Sequence, residues 1–358
     1  MRVLHVLTRA HRRGAETFGL DLHEQLLGRG VASRVVALAP APPGQAEVDV
    51  PVLGRATRGL PTMRALRTEA RDADVVVAHG SDTLLACRLA LLGARTPFVY
   101  VNIGDPLHWT ASTSRRLRVR WMLRGAAAVG AIAPSAVERL TGHLGVPADR
   151  VHFTGNGRRS DVFRPATPDE VRAARALFAL PPDAPVAVVV AALAPEKRLD
   201  VAVAAVASLP DWHLLLAGGG PEETGLAALA DRLAPGRVHL AGSLTDVRPA
   251  LHAADVALLT STTEGLPGSL VEAAMSGLPV VGTDVGFVRD VVVEGRTGRL
   301  VAVGDVEGTA AALAACRVDA ARLGEQGREH VVALFESDDV VGRWLAVLDK
   351  VTRTAYRE

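Results

Sequence analysis

Two glutamates bracket a glycine turn in the stretch Thr263-Glu-Gly-Leu-Pro-Gly-Ser-Leu-Val-Glu-Ala-Ala-Met-Ser-Gly-Leu-Pro-Val-Val-Gly-Thr283. Seven residues separate Glu264 from Glu272: Gly265, Leu266, Pro267, Gly268, Ser269, Leu270 and Val271. The run Val256–Leu259 predicts a buried strand, so Glu264 falls at a strand's carboxyl end and a helix begins near Ser269. The free N–H groups and positive dipole end of that helix favour a phosphate or the oxygens of a sugar. Glycines at 265 and 268 let a ligand come close to the backbone. A carboxylate in the loop and another a turn into the helix suit hydroxyls on two parts of one ligand. The four residues Ser269-Leu-Val-Glu272 also spell a capping box, in which Glu272 serves only its own helix. Lys197 is the second candidate. It follows the strand predicted over Val186–Ala191, and only it and Lys350 are lysines among 40 basic residues. A lysine in a polar turn is otherwise most simply a solvated one. His79, in Ala78-His-Gly80 at another strand end, either faces a ligand or makes a local hydrogen bond.

The elements that would position these residues are short Val-rich strands alternating with helices. Val3–Leu7, Val35–Leu38, Val75–Ala78, Phe98–Val101 and Val129–Ile132 form one set of predicted strands. Val186–Ala191, His213–Ala217, Val238–Leu240, Val256–Leu259 and Pro279–Val281 form a second. Helical stretches such as Ala15–Arg29, Thr83–Leu92, Leu199–Ser208 and Gly225–Leu233 lie between them. This alternation predicts doubly wound parallel α/β sheets covered on both faces. The pattern breaks at Phe163-Arg-Pro-Ala-Thr-Pro168, which divides the chain into 1–164 and 165–339. Two Rossmann-like units facing each other across a cleft are expected, with ligands beyond the carboxyl ends of the strands. The remaining 340–358 is expected to be a helix with Val341, Trp344, Leu345 and Leu348 on one face, packed back on the first unit.

Bulk properties agree with a soluble chain of two domains. The length of 358 residues suits two cores, and 49% apolar residues can fill both. A net charge of +1 argues against a nucleic-acid partner. Cys87 and Cys316 are too few and too far apart for a disulfide framework or a metal cluster, and they fit a reducing compartment. No signal-peptide core or membrane-spanning run is apparent, so a cytoplasmic location is expected. The segment Ser114-Arg-Arg-Leu-Arg-Val-Arg-Trp-Met-Leu-Arg124 is strongly basic. It either meets an anionic membrane face or an acceptor's phosphate, or is a helix whose Leu117, Trp121 and Arg stems cover the core.

The Glu264…Glu272 stretch with Gly277-Leu-Pro-Val-Val281 resembles the signature of the GT-B retaining glycosyltransferases, in particular glycosyltransferase family 4 (glycosyl transferases group 1). Weaker matches follow in order along the chain. Arg13-Gly-Ala-Glu16 resembles the N-terminal glycine loop, and Asn156-Gly157 with Asp161-Val-Phe-Arg-Pro165 resembles the segment before the linker. Ala194-Pro-Glu-Lys197, Ala217-Gly-Gly-Gly-Pro221, Arg237-Val-His-Leu-Ala-Gly242, Ala254-Asp255 and Gly295-Arg-Thr-Gly298 resemble successive elements of the C-terminal domain. The resemblance implies a GT-B fold, with an N-terminal acceptor domain and a C-terminal donor domain. It implies a nucleotide-diphosphate sugar as donor, UDP-sugar ahead of GDP-mannose, and a carbohydrate, lipid-linked or small-molecule acceptor. Glu264 and the backbone after it would hold the donor sugar, Glu272 the ribose, and Lys197 the diphosphate. Gly14 and Ala15 would lie near that diphosphate, while Gly242, Ser243 and Leu244 would approach the base.

Two departures stand out. Where the family usually has an arginine five residues before the lysine, this chain has Ala192. Where many relatives offer a histidine after the fourth strand, this chain runs Val99-Tyr-Val-Asn-Ile-Gly-Asp105, leaving Asn102 or Asp105 to act there, with His79 as a further catalytic candidate. The resemblance implies that retaining transfer needs neither a metal nor a clearly placed protein nucleophile, so no metal ligands and no cofactor are expected. An alternative motivated by these departures is a catalytically silent nucleotide-sugar-binding subunit. A dinucleotide-dependent dehydrogenase is rejected, because Thr8-Arg-Ala-His-Arg-Arg-Gly14 stands where a Gly-x-Gly-x-x-Gly turn would be needed.

Overall fold

A computed structural model describes residues 1–11, 14–43 and 47–355. The chain forms two compact units, one of Met1–Gly157 joined by the chain from Asp338 onward, the other of Arg158–Ser337.

The first unit is built on six strands: β1 (Arg2–Arg9), β2 (Ala32–Ala39), β3 (Val75–His79), β4 (Phe98–Asn102), β5 (Ala128–Ala131) and β6 (Val151–Phe153). They lie in the order β2-β1-β3-β4-β5-β6, and every neighbouring pair is parallel. Parallel strands require a crossover and are covered on both faces, so a continuous apolar run forms each central one. All five residues of β3 and of β4 are buried. The helix Gly14–Gly28 covers one face with Phe18, Leu22 and Leu26, spaced one turn apart.

The last helix, Ser337–Ala355, adds Trp344 to this unit's core. Val341, Trp344 and Leu348 are buried as the sequence pattern predicts, but Leu345 is only half-buried, and Val347 and Val351 complete the stripe instead. Positions 356–358 of the expected helix lie outside the described residues.

The second unit repeats the plan with β7 (Val186–Val190), β8 (His213–Ala217), β9 (Val238–Gly242), β10 (Val256–Leu259), β11 (Val280–Thr283) and β12 (Gly298–Val301). Their order is β12-β11-β10-β7-β8-β9, again all parallel. Val189, Leu214, Leu216, Leu258 and Val281 pack with Val203, Val206 and Leu313 from the covering helices into one core. Among the described residues, ten of the twelve strands are those the Val-rich runs predict. The two without such a run, β6 and β12, are sheet edges with a single neighbour.

The strand order fixes where loops can converge. In the second sheet β7 lies between β8 and β10, so the chain leaves β7 towards one side and returns to its other side with β10. In the first sheet β1 lies likewise between β2 and β3. Loops leaving the carboxyl ends of such neighbours diverge and open a crevice for a ligand. Among the described residues, no helix is long and apolar enough to cross a membrane.

Candidate functional site

Neighbouring strands at the switch point of the second unit bring Lys197 and Glu264 together. The loop after β7 ends in a short turn, Pro195–Lys197, and the loop after β10 carries Glu264. Lys197 Nζ donates to Glu264 Oε1 at 2.6 Å, and Ser261 Oγ donates to the same oxygen at 2.6 Å, so neither donor occupies Oε2. The backbone under the pair is tied strand to strand: Thr260 Oγ1 donates to the Lys197 carbonyl at 2.9 Å, and the Thr262 N–H donates to the Glu196 carbonyl at 2.8 Å. Lys197 keeps 22% and Glu264 11% of its side chain exposed. A lysine held this way is not merely solvated, and a charge pair so shallow remains open to an incoming anion.

Gly286 closes the back of this loop with its φ of +55°. A Cβ there would collide with the Glu264 carbonyl oxygen, and the neighbouring Phe287 N–H donates to the Gly265 carbonyl at 3.3 Å. The turn Gly218–Gly220 after β8 has a similar packing role. Any side chain on Gly218 or Gly220 would run into the Ala191 or Leu193 carbonyl, and one on Gly219 would lie 2.6 Å from Ser243 Oγ. This glycine cluster therefore positions the Ala191–Leu193 loop and the Gly242–Leu244 loop against each other.

The helix after Glu264 runs Gly268–Met275, with Pro267 at its N-cap and no side chain capping it. The capping box predicted for Ser269 and Glu272 is thus not formed. Proline before Gly268 starts the helix one residue early, and Glu272 turns elsewhere. It accepts from Arg158 Nε at 2.6 Å, with 17% of the Glu272 side chain and 20% of that of Arg158 exposed. Leu266 and Leu270 are buried, whereas Gly265, Gly268 and Ser269 are partly accessible.

The catalytic residues expected in the first unit are placed differently. His79 ends β3 but is fully buried, stacked on His5 with ring centroids 5.2 Å apart. Its Nε2 is 2.9 Å from His5 Nδ1, and burial lowers its pKa to about 3. The expectation of a ligand-facing histidine is corrected: the ring belongs to the core beside Phe18 and stays neutral at ordinary pH. Asn102 is also buried; its Nδ2 donates to the Gly104 carbonyl at 3.0 Å. Asp105 caps the short helix Pro106–Trp109 by accepting from the Leu107 N–H at 3.0 Å, and it pairs with Arg139 at 2.6 Å. Each shapes the loop after β4. Gly14 and Ala15 open the first helix, and Arg13 lies outside the described residues. Asp74, just before β3, accepts from the Arg2 backbone N–H at 2.7 Å and its guanidinium at 3.0 Å. It clamps the amino end of the sheet.

Residues 184–319 match the family described as Glycosyl transferases group 1, and residues 12–161 match Glycosyltransferase Family 4. Residues 184–319 thus carry a group 1 glycosyl transferase domain and residues 12–161 a glycosyltransferase family 4 domain. Among curated relatives, it is 34% identical over 205 residues to the lipopolysaccharide core biosynthesis glycosyltransferase LpsE of Rhizobium meliloti (strain 1021), covering 55% of this chain and 56% of that protein. It is 34% identical over 147 residues to the N-acetyl-alpha-D-glucosaminyl L-malate synthase of Bacillus anthracis, covering 40% and 39%. The chain thus spans little more than half the length of these relatives at most. Among solved structures, Anabaena Alr3699/HepE in complex with UDP superposes with a TM-score of 0.86 at 20% identity, over 98% of this chain and 100% of that one. That likeness shows the GT-B fold of paired Rossmann-like sheets.

Arg158 escaped the sequence reading: in an arginine-rich chain a single arginine carries little signal, and its carboxylate partner lies 114 positions away. The basic segment was noticed, with two readings left open. It forms the helix Thr113–Leu123, which buries Val119, Met122 and Leu123 and leaves Leu117 59% and Trp121 44% exposed. Leu117 and Trp121 therefore do not cover the core, contrary to one of the two expectations; Trp121 lies under the Arg88 guanidinium at 5.0 Å.

Proposed function

We propose that this chain transfers a sugar from a nucleoside-diphosphate sugar to an acceptor hydroxyl, with the anomeric configuration retained and without a metal or cofactor. The observation that carries the reading is the Lys197–Glu264 pair at a strand-order switch point, followed directly by an uncapped helix start. Glu264 would accept from hydroxyls of the donor sugar, and the helix start would receive phosphate oxygens. Lys197 would offset the charge that grows on the diphosphate as the glycosidic bond breaks. In that step the acceptor oxygen bonds to the anomeric carbon, the carbon–oxygen bond to the diphosphate breaks, and the acceptor proton passes to a phosphate oxygen. The protein then contributes position and electrostatics. A UDP-sugar is the favoured donor; the HepE structures, which hold UDP or UDP-glucose, support that choice. Lipopolysaccharide core synthesis by LpsE supports a carbohydrate or lipid-linked acceptor. The exposed Leu117 and Trp121 among Arg115, Arg116, Arg118 and Arg120 support contact with an anionic membrane face on the cytoplasmic side.

Incubation with UDP-, GDP- and dTDP-sugars, following nucleoside-diphosphate release, tests the reading. Wild type is expected to release one nucleoside diphosphate slowly without acceptor. Lys197→Ala and Glu264→Ala are expected to lower that rate by about 10²–10³-fold with an unchanged circular dichroism spectrum. Near-normal turnover in both variants overturns the assignment, and donor binding without turnover in wild type favours the silent-subunit reading.

A further inference from the structure

Arg158 is held in place more firmly than an incidental surface arginine. Its backbone N–H donates to the Phe335 carbonyl at 2.8 Å, and its own carbonyl accepts from the Ser337 N–H at 2.9 Å. The segment after it is pinned by Arg328, whose guanidinium donates to the carbonyls of Ser160 and Phe163 at 3.0 and 2.8 Å and to that of Met275, in the helix that carries Glu272. The Arg158 guanidinium therefore arrives at the start of that helix at a fixed height. Its Nε meets Glu272 at 2.6 Å, and its Nη2 lies 2.6 Å from where a Cβ on Gly268 would be. A side chain at 268 would oblige the guanidinium to shift from its place against the first turn.

Charge around the turn points to what this arginine is for. Glu264 and Glu272 bring two negative charges, Lys197 and Arg158 two positive ones, and each cation is already paired. A diphosphate adds two or more negative charges, which one carboxylate-paired lysine is poorly placed to balance alone. A guanidinium's planar fork can keep one N–H on a carboxylate while others meet phosphate oxygens, which an ammonium cannot do with the same geometry. Position 192, on the loop after β7, is an alanine and supplies no cation.

We infer that Arg158 is a donor-binding residue that holds Glu272 oriented for the nucleotide and contacts the donor's diphosphate beside Lys197. The inference rests on the donor site proposed above. Calorimetric titration of UDP, GDP and dTDP into wild type first identifies the retained nucleotide, and the matching nucleoside serves as the phosphate-free probe. Arg158→Gln is expected to weaken the diphosphate by about tenfold or more while changing nucleoside affinity little, and to raise the donor KM more than it lowers kcat. Arg158→Lys should recover part of the loss. Gly268→Ala, which leaves both charged groups in the chain but pushes the guanidinium off the helix start, should reproduce the diphosphate-selective loss and guards against misfolding of Arg158→Gln. Equal losses for nucleoside and diphosphate would reduce Arg158 to a support for Glu272 and overturn the inference. Unchanged or tighter diphosphate binding in the variants would overturn it too, showing an ion pair that only competes with the ligand. Failure of wild type to bind any of the three nucleotides would overturn the donor-site reading itself, and this inference with it.

Discussion

Whether an ionisable side chain does chemistry or holds structure depends on its surroundings, and two pairs here separate cleanly. Lys197 and Glu264 are paired but accessible, so a ligand can enter their field. His79 and His5 are closed off: His5 Nε2 and His79 Nδ1 are buried without hydrogen-bond partners. Burial drives the His5 pKa well below its ordinary value, helped by the neighbouring His79, and brings that of His79 to about 3. Folding thus keeps both rings neutral, whereas the unfolded chain takes up protons once pH falls below about 6.5. The pair's stability contribution is complete above about pH 6.5 and declines as pH drops towards 3, with a slope of up to about 2.7 kcal/mol per pH unit for two protons. Thermal melts between pH 7.5 and 5 should show a falling midpoint, and a His5→Leu/His79→Leu double variant should show a flatter one. A wild-type midpoint that holds or rises across this range would contradict the buried neutral pair.

Secondary-structure elements carry the next layer of argument, and the last helix is the plainest case. Trp344 is fully buried, with its ring pressed on Gly130 of β5 closely enough that a Cβ there would lie 2.7 Å from it, and 6.1 Å from the Phe18 ring. Trp344→Ala should destabilise the first unit by about 3–5 kcal/mol, read by urea denaturation. A loss below about 1 kcal/mol would show that the helix is not integral to that core. Elements of this kind were legible beforehand because a strand buried on both faces must be an unbroken apolar run, as in Val75–Val77 and Val186–Val190. Strands β6 and β12 were not, since Val151-His-Phe153 and Gly298-Arg-Leu-Val301 are short, partly accessible and interrupted by a polar residue, and so contain no apolar run. The strand-end placement of Glu264 was likewise readable. The pairing of Arg158 with Glu272, which replaced the expected capping box, depends on a contact that no local pattern encodes.

Across the molecule as a whole, one topological device occurs twice: each unit reverses strand order beside its first strand, and each has a core of its own. The net charge of +1 hides an uneven distribution. Positive charge collects on the helix Thr113–Leu123 of the first unit, whereas cations and carboxylates balance around the turn after β10 in the second. A balanced turn is what a site for an anionic, hydroxyl-rich ligand requires, since its own groups must be satisfied while it waits. The central claim is that this turn receives a nucleoside-diphosphate sugar, and a crystal structure with a bound UDP-sugar tests it most directly. Diphosphate oxygens should lie about 3 Å from Lys197 Nζ with sugar hydroxyls on Glu264. Donor density elsewhere, with the Lys197–Glu264 pair undisturbed, would contradict it.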